Sequence, residues 1–293
     1  MNAQVYIGII AYPSHRPFIS YVMTQVIDWM TDDSIQPVII PYNIDEDELT
    51  TILSSLDGVV IPGSISTRSL TASTTPIELL NPDVVHTVTH IWNYATAEKL
   101  PILTICLGTL LLYHVIYPDA YYIQTPATTS WDDTTTSAIV KPHRHIWSIP
   151  NNRHSGDSEL HVLETYTDST SGSEHLSFIS VAELTDFPVK MYMWHPELSP
   201  ESSQDINVKE QFTSQCIQYR DSKRHLRVSM LQRRNYRSPV REMGSWKAKT
   251  YNSKRNQEEW THYTLYMYPI ENIKELYASV VTATNTNTSS ATL

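Results

Sequence analysis

Short, uninterrupted apolar runs recur through the first 105 residues, and each stops at a turn-forming residue. Residues 5–11 (VYIGIIA) run up to Pro13, and residues 37–41 (PVIIP), 58–63 (GVVIPG) and 101–105 (PILTI) repeat the pattern. Runs this short and this evenly apolar suit strands buried on both faces, as in a parallel sheet. Helical spacing fills the gaps at residues 18–30, 45–56, 81–100 and 107–116. The second of these has an acidic first turn, which suits a helix dipole, and the third has Pro82 in its first turn. Strands alternating with helices predict an open, mostly parallel α/β sheet with helices on both faces.

Residues 117–187 are richer in Thr, Ser, Asp and Tyr, with strand-like runs at 138–140 and 176–181. They predict an antiparallel extension of the sheet. A strand at 189–194, a helix at 205–219, a late strand at 263–268 and a helix at 271–279 complete the expected order. Residues 280–293 form a polar low-complexity tail that should be flexible. The expectation is one α/β domain over residues 1–279.

Charge and cysteine content narrow the function classes. The 293 residues carry a net charge of −10, which disfavours nucleic-acid binding through overall charge. Two cysteines, Cys106 and Cys216, cannot make a disulfide scaffold. The longest strongly apolar stretch is 12 residues, 102–113; a membrane span needs roughly 20. The first residues lack a basic start and an apolar core, so no secretory signal is predicted and an intracellular protein is expected. Residues 219–255 hold 12 of the 21 Lys and Arg side chains and a net charge of +10, against −20 for the rest. Such a block could contact an anionic or protein partner, or lie against its own acidic body.

The chain has only seven glycines, about 2.4% against a usual value of roughly 7%. Each is therefore expected where no side chain fits. One of them, Gly108, ends Thr104-Ile105-Cys106-Leu107-Gly108, where a predicted strand runs directly into a predicted helix. That is the pattern of a nucleophile elbow. Its sharp turn lifts the middle side chain above the sheet and demands small residues two places to either side. Gly108 meets that demand and Thr104 meets it in part. A helix start beside Cys106 favours a thiolate; a buried, inert cysteine is the competing reading. Further along, Met193-Trp194-His195-Pro196-Glu197 follows another strand. Residues two apart in an extended segment share a face. His195 could then take the Cys106 proton while Glu197 orients the imidazole.

In this order, the C-x-G after a strand and the W-H-P-E about 90 residues later resemble the class I glutamine amidotransferase superfamily. The nearer resemblance is to the γ-glutamyl hydrolase family. It extends to residues 7–10 as first strand, to 56–63 as the strand and turn of the oxyanion hole, and to His145-Ile146-Trp147-Ser148 as an H-x-W-S stretch. Residues 263–269 resemble the family's late strand. The resemblance implies cysteine peptidase chemistry at γ-glutamyl amides, on a small molecule or peptide such as a folate poly-γ-glutamate. It implies Cys106, His195 and Glu197 as the triad, with a thioester intermediate. The backbone N–H of Leu107 and one from Gly63-Ser64 would form the oxyanion hole. His145 and, at the start of the first predicted helix, Tyr21 would contact substrate. It implies no cofactor, and members of the family are often lysosomal or secreted.

This chain departs from the family pattern at four places. Thr104 stands for the first glycine of G-x-C-x-G, Ser64 for the second glycine of P-G-G, Leu110 for a glutamate and Leu198 for a lysine. The last two changes remove polar contacts expected to hold a charged glutamyl group, and Arg68 and Arg144 are the cations that could compensate. The chain also exceeds the family by about twenty residues within the basic segment, near 220–255, which suggests a partner or homodimer contact. Two alternatives follow: a non-catalytic member of the fold acting as a binding or structural component, and the glutaminase of an amidotransferase. His143, His145 and His154 lack further ligands at suitable spacing, so no metal site is expected. No nucleotide-binding glycine motif occurs.

Overall fold

The computed structural model describes residues 4–13, 19–64, 81–124, 145, 147–151, 159–167, 177–198, 203–223, 241–252 and 257–267. Of 19, 203–206, 241–252 and 257–267 only the backbone is described. The element order is β1 (Val5–Ile10), β2 (Tyr12–Pro13), β3 (Ile19–Met23), α1 (Thr24–Met30), β4 (Ile35–Ile40), α2 (Glu46–Ser55), β5 (Gly58–Ile61), α3 (Pro82–Glu98), β6 (Ile102–Ile105) and α4 (Leu107–Ile116). It continues with β7 (Ile123–Gln124), β8 (Trp147–Ser148), β9 (Leu160–Thr167), β10 (Ser177–Leu184), β11 (Val189–Tyr192), a 3₁₀ turn (Pro196–Leu198), α5 (Ser203–Lys223), β12 (Arg241–Asn252) and β13 (Gln257–Met267).

Seven strands form the main sheet in the order β4-β1-β5-β6-β11-β10-β9. The first five are mutually parallel, while β10 and β9 add on antiparallel. The expected mostly parallel α/β sheet with an antiparallel extension is therefore what the chain forms. Every residue of β5 and β6 is buried, so both faces of the centre are covered. On one face α5 presses so close that a Cβ on Gly58 would meet the Cys216 sulfur at 2.4 Å. This explains Cys216 as a packed core thiol. The helix starts follow local chemistry. The Asp45 carboxylate accepts from the Asp47 and Glu48 amides, and the Asn81 side chain accepts from the Asp83 amide ahead of Pro82.

A second sheet, in the order β12-β13-β3-β2, corrects two expectations. Residues 19–23 are not the start of a helix; they are a strand, and α1 begins only at Thr24. All of Ser20, Tyr21, Val22 and Met23 are buried, so the alternation that marks a half-exposed strand is missing. Their partner is β13, where Met23 to Ile19 pair with Tyr263 to Met267. The late strand also starts earlier than expected, at Gln257, because β12 from the basic segment pairs along it. The expected strand at 138–140, the helix at 271–279 and the tail at 280–293 lie outside the described residues. Among those described, no helix is long and apolar enough to cross a membrane.

Candidate active site

The elbow forms at the junction of β6 and α4. Cys106 has φ 53° and ψ −110°, a conformation that costs a non-glycine residue roughly 1–3 kcal/mol. Backbone bonds hold it: its N–H donates to the Tyr192 carbonyl at 2.7 Å, and its own carbonyl accepts from Thr109 and Leu110. Gly108 is obligatory here, because a Cβ at that position would stand 2.0 Å from the Ile61 carbonyl oxygen. Thr104, two places before the cysteine, is fully buried and hydrogen-bonds to Thr109 at 2.8 Å. The Thr109 hydroxyl donates its hydrogen bond to the Tyr192 carbonyl at 2.8 Å, so Thr104 is the donor of the pair. The extra bulk of threonine is thus accommodated as a bonded hydroxyl.

His195 follows β11, the strand that lies beside β6, so adjacent parallel strands deliver the cysteine and the imidazole to the same sheet end. The expected extended His195-Pro196-Glu197 is not found. Residues 196–198 make a 3₁₀ turn, closed by the Leu198 amide on the His195 carbonyl at 3.2 Å. That turn folds Glu197 back, and its Oε1 meets His195 Nδ1 at 2.6 Å. Cys106 comes close to the same ring, since both approach the position that a Cβ on Gly63 would take. Burial by itself would push the imidazole pKa down. Glu197 and Cys106 outweigh it and hold it up, to about 10. The second carboxylate oxygen of Glu197 is buried without a hydrogen-bond partner among the described residues, which leaves the acid bound to His195 through one oxygen.

Gly63 lies between Cys106 and His195. A Cβ there would sit 2.9 Å from His195 Cε1 and 3.3 Å from Cys106 Cβ. Leu107 is the first residue of α4, so its N–H has no acceptor within the helix. Ser64 shares a short hydrogen bond with the hydroxyl of Tyr21, which stands on β3. His145 also faces this region. Burial first, then the charge of His195, pushes its pKa down to about 3, so it is neutral near pH 7. Ser148 Oγ lies 3.3 Å from His145 Nδ1 and accepts from the Tyr166 hydroxyl. Leu110 points into the core at 2% exposure. Arg68, Arg144, His143 and His154 lie outside the described residues. Among those described, no cluster of His, Cys, Asp and Glu fits a metal ion.

Three neighbours of the site had no sequence signal. Tyr12 donates to the Pro62 carbonyl, Met23 approaches Gly63, and Tyr166 supports Ser148. Each reaches the site across sheets or loops rather than through a local motif.

Comparison with known proteins bears out the resemblance read from the motifs. Residues 7–116 match the family model Peptidase C26. The chain is 25% identical over 215 residues to γ-glutamyl hydrolase B of Dictyostelium discoideum, covering 62% of this chain and 58% of that protein. The match thus spans less than two thirds of the relative's length. Among solved structures, a protein described as a GMP synthase component from Thermoplasma acidophilum has a TM-score of 0.47 at 16% identity, covering 76% of this chain and 99% of its own. The glutaminase domain of Trypanosoma brucei CTPS with bound acivicin has a TM-score of 0.49 at 12% identity, covering 73% and 94%. The chain is thus similar to Peptidase C26 over residues 7–116 and to a γ-glutamyl hydrolase over 62% of its length.

Proposed function

We propose that this chain is a cysteine peptidase that cleaves γ-glutamyl amide bonds by acyl transfer. The observation that carries the reading is one buried imidazole bonded to Glu197 through Nδ1 and held protonated by Glu197 and Cys106 together, with Cys106 at the start of a helix. In this reading Cys106 gives its proton to His195, and its sulfur attacks the amide carbonyl to form a tetrahedral oxyanion. The N–H groups of Leu107 and the Gly63-Ser64 turn stabilise that charge; losing one such donor typically costs about 3 kcal/mol of barrier. His195 then protonates the departing amine, the C–N bond breaks, and a thioester remains on Cys106. Water, deprotonated by His195, hydrolyses the thioester and releases the acid. Neutral His145 and Tyr21 line the substrate side. The relative's γ-glutamyl name supports the bond type, and the folate poly-γ-glutamate class follows from the same resemblance.

The test starts without a substrate. Alkylation of Cys106 by iodoacetamide is followed against pH by peptide mass spectrometry, with buried Cys216 as internal control. An ordinary thiol ionises near pH ~8.5 and an activated one at roughly 3.5–7.5. Fast labelling of Cys106 below pH 7 that disappears in His195→Ala is the expected result. Labelling typical of an ordinary thiol would favour the non-catalytic alternative. A panel of γ-glutamyl peptides and free glutamine then separates hydrolase from glutaminase, with Cys106→Ala as the inactive reference.

A further inference from the structure

The turn that carries Gly63 is held from outside the parallel sheet. Tyr12 and Tyr21 are directly paired in the small antiparallel sheet, with ring centroids 6.4 Å apart. Tyr12 is 1% exposed, and its hydroxyl donates to the Pro62 carbonyl at 2.8 Å. Burial first, then Tyr21 and Cys106, keep that hydroxyl protonated well beyond its ordinary range, so it remains a donor. A trans peptide is planar, and its C=O and N–H point in opposite directions. A bond that fixes the Pro62 oxygen therefore fixes the Gly63 N–H as well. Without such a bond the Pro62–Gly63 peptide could rotate easily, because glycine tolerates either backbone orientation. Rotation would aim a carbonyl oxygen where the developing oxyanion needs a donor, and it would strand a buried hydroxyl.

From this geometry we infer that Tyr12 is a positioning residue for the oxyanion hole: its hydroxyl locks the Pro62–Gly63 peptide so that the Gly63 N–H is preset for the transition state. The inference rests on the acyl-transfer reading above. Tyr12 touches no reacting atom; it acts through the peptide. An oxyanion exists in the transition state and not in the bound substrate, so the lock should appear in turnover rather than in substrate affinity.

The experiment exploits the composition of the chain. Pro62-Gly63 is the single Pro-Gly step in the sequence. Labelling with ¹³C-carbonyl proline and ¹⁵N-glycine therefore gives one directly connected amide signal, that of Gly63. The remaining six glycines report the fold. In Tyr12→Phe the Gly63 signal should split or broaden by exchange while the other six stay in place. A single, equally sharp Gly63 signal would overturn the proposal. Loss of all seven signals together would overturn it too, since the hydroxyl would then hold the fold and not the turn.

Two kinetic arms are run beside it. Iodoacetamide alkylation creates no oxyanion and should change less than about twofold in Tyr12→Phe, whereas hydrolysis of L-γ-glutamyl-p-nitroanilide should lose about ten- to hundredfold in kcat with KM little changed. An unchanged kcat, or a loss confined to KM, counts against the lock. If the native protein fails to turn over the anilide and Cys106 labels only as an ordinary thiol, the acyl-transfer reading falls, and the Gly63 signal still decides the lock by itself.

Discussion

His195 and His145 carry the same ring and face the same site, yet their surroundings drive them to opposite protonation states. His195 stands at the end of β11, where a 3₁₀ turn folds a carboxylate onto Nδ1, and its pKa is held up to about 10. His145 precedes β8, has a hydroxyl near Nδ1 in place of a carboxylate, and is pushed down to about 3. Burial acts in the same direction on both. The difference lies in whether a negative group is within reach, and the charged ring then suppresses its neighbour. One site thereby holds a cationic and a neutral imidazole at the same pH, which is how two identical side chains can take two jobs.

The sharpest way to break this comparison is to remove each ring in turn. His195→Ala should lower turnover of a γ-glutamyl substrate by about 10⁴-fold and abolish fast alkylation of Cys106 below pH 7. His145→Gln should leave that alkylation in place and cost turnover about tenfold, the scale of one lost neutral contact. Equal losses in both variants would mean that the two rings share one role.

Stability against pH gives the next effect. The folded pKa of His195 lies above its ordinary 6.5, so its contribution is complete below about pH 6.5 and disappears as pH rises towards 10. The folded pKa of His145 lies below 6.5, so the unfolded chain takes the proton first, and stability falls as pH drops from 6.5 towards 3. Urea unfolding across this range should show both limbs. His145→Gln should flatten the acid limb alone. The smallest change is expected from Ser148→Ala, about 1 kcal/mol of stability, since Tyr166 loses this acceptor while the His195 pair is untouched.

Legibility followed the range of the forces. The elbow at Cys106, the pairing partner Glu197 and the parallel strands were readable because each depends on neighbours within a few residues. The 3₁₀ turn was missed because Pro196 suits the start of a helical turn as well as an extended chain. The strand at 19–23 was missed because its partner lies some 240 residues away and all its described side chains are buried, which erases the period-two signal. Tyr12 was invisible for the same reason: its acceptor is 50 residues distant. Residues placed by local rules carry the proposed chemistry, and residues placed by long-range pairing support it.

The hydroxyl pair behind the elbow has a consequence for how such a site can change over generations. Thr104 donates to Thr109, and Thr109 donates to the carbonyl that also receives the Cys106 amide. A glycine at 104 alone would open a void and strip Thr109 of its donor, while replacing Thr109 alone would strand Thr104. The two positions are therefore epistatic, with a coupling of about 0.5–3 kcal/mol expected for contacting residues. Exchanging both positions together is expected to cost less than the two single exchanges added.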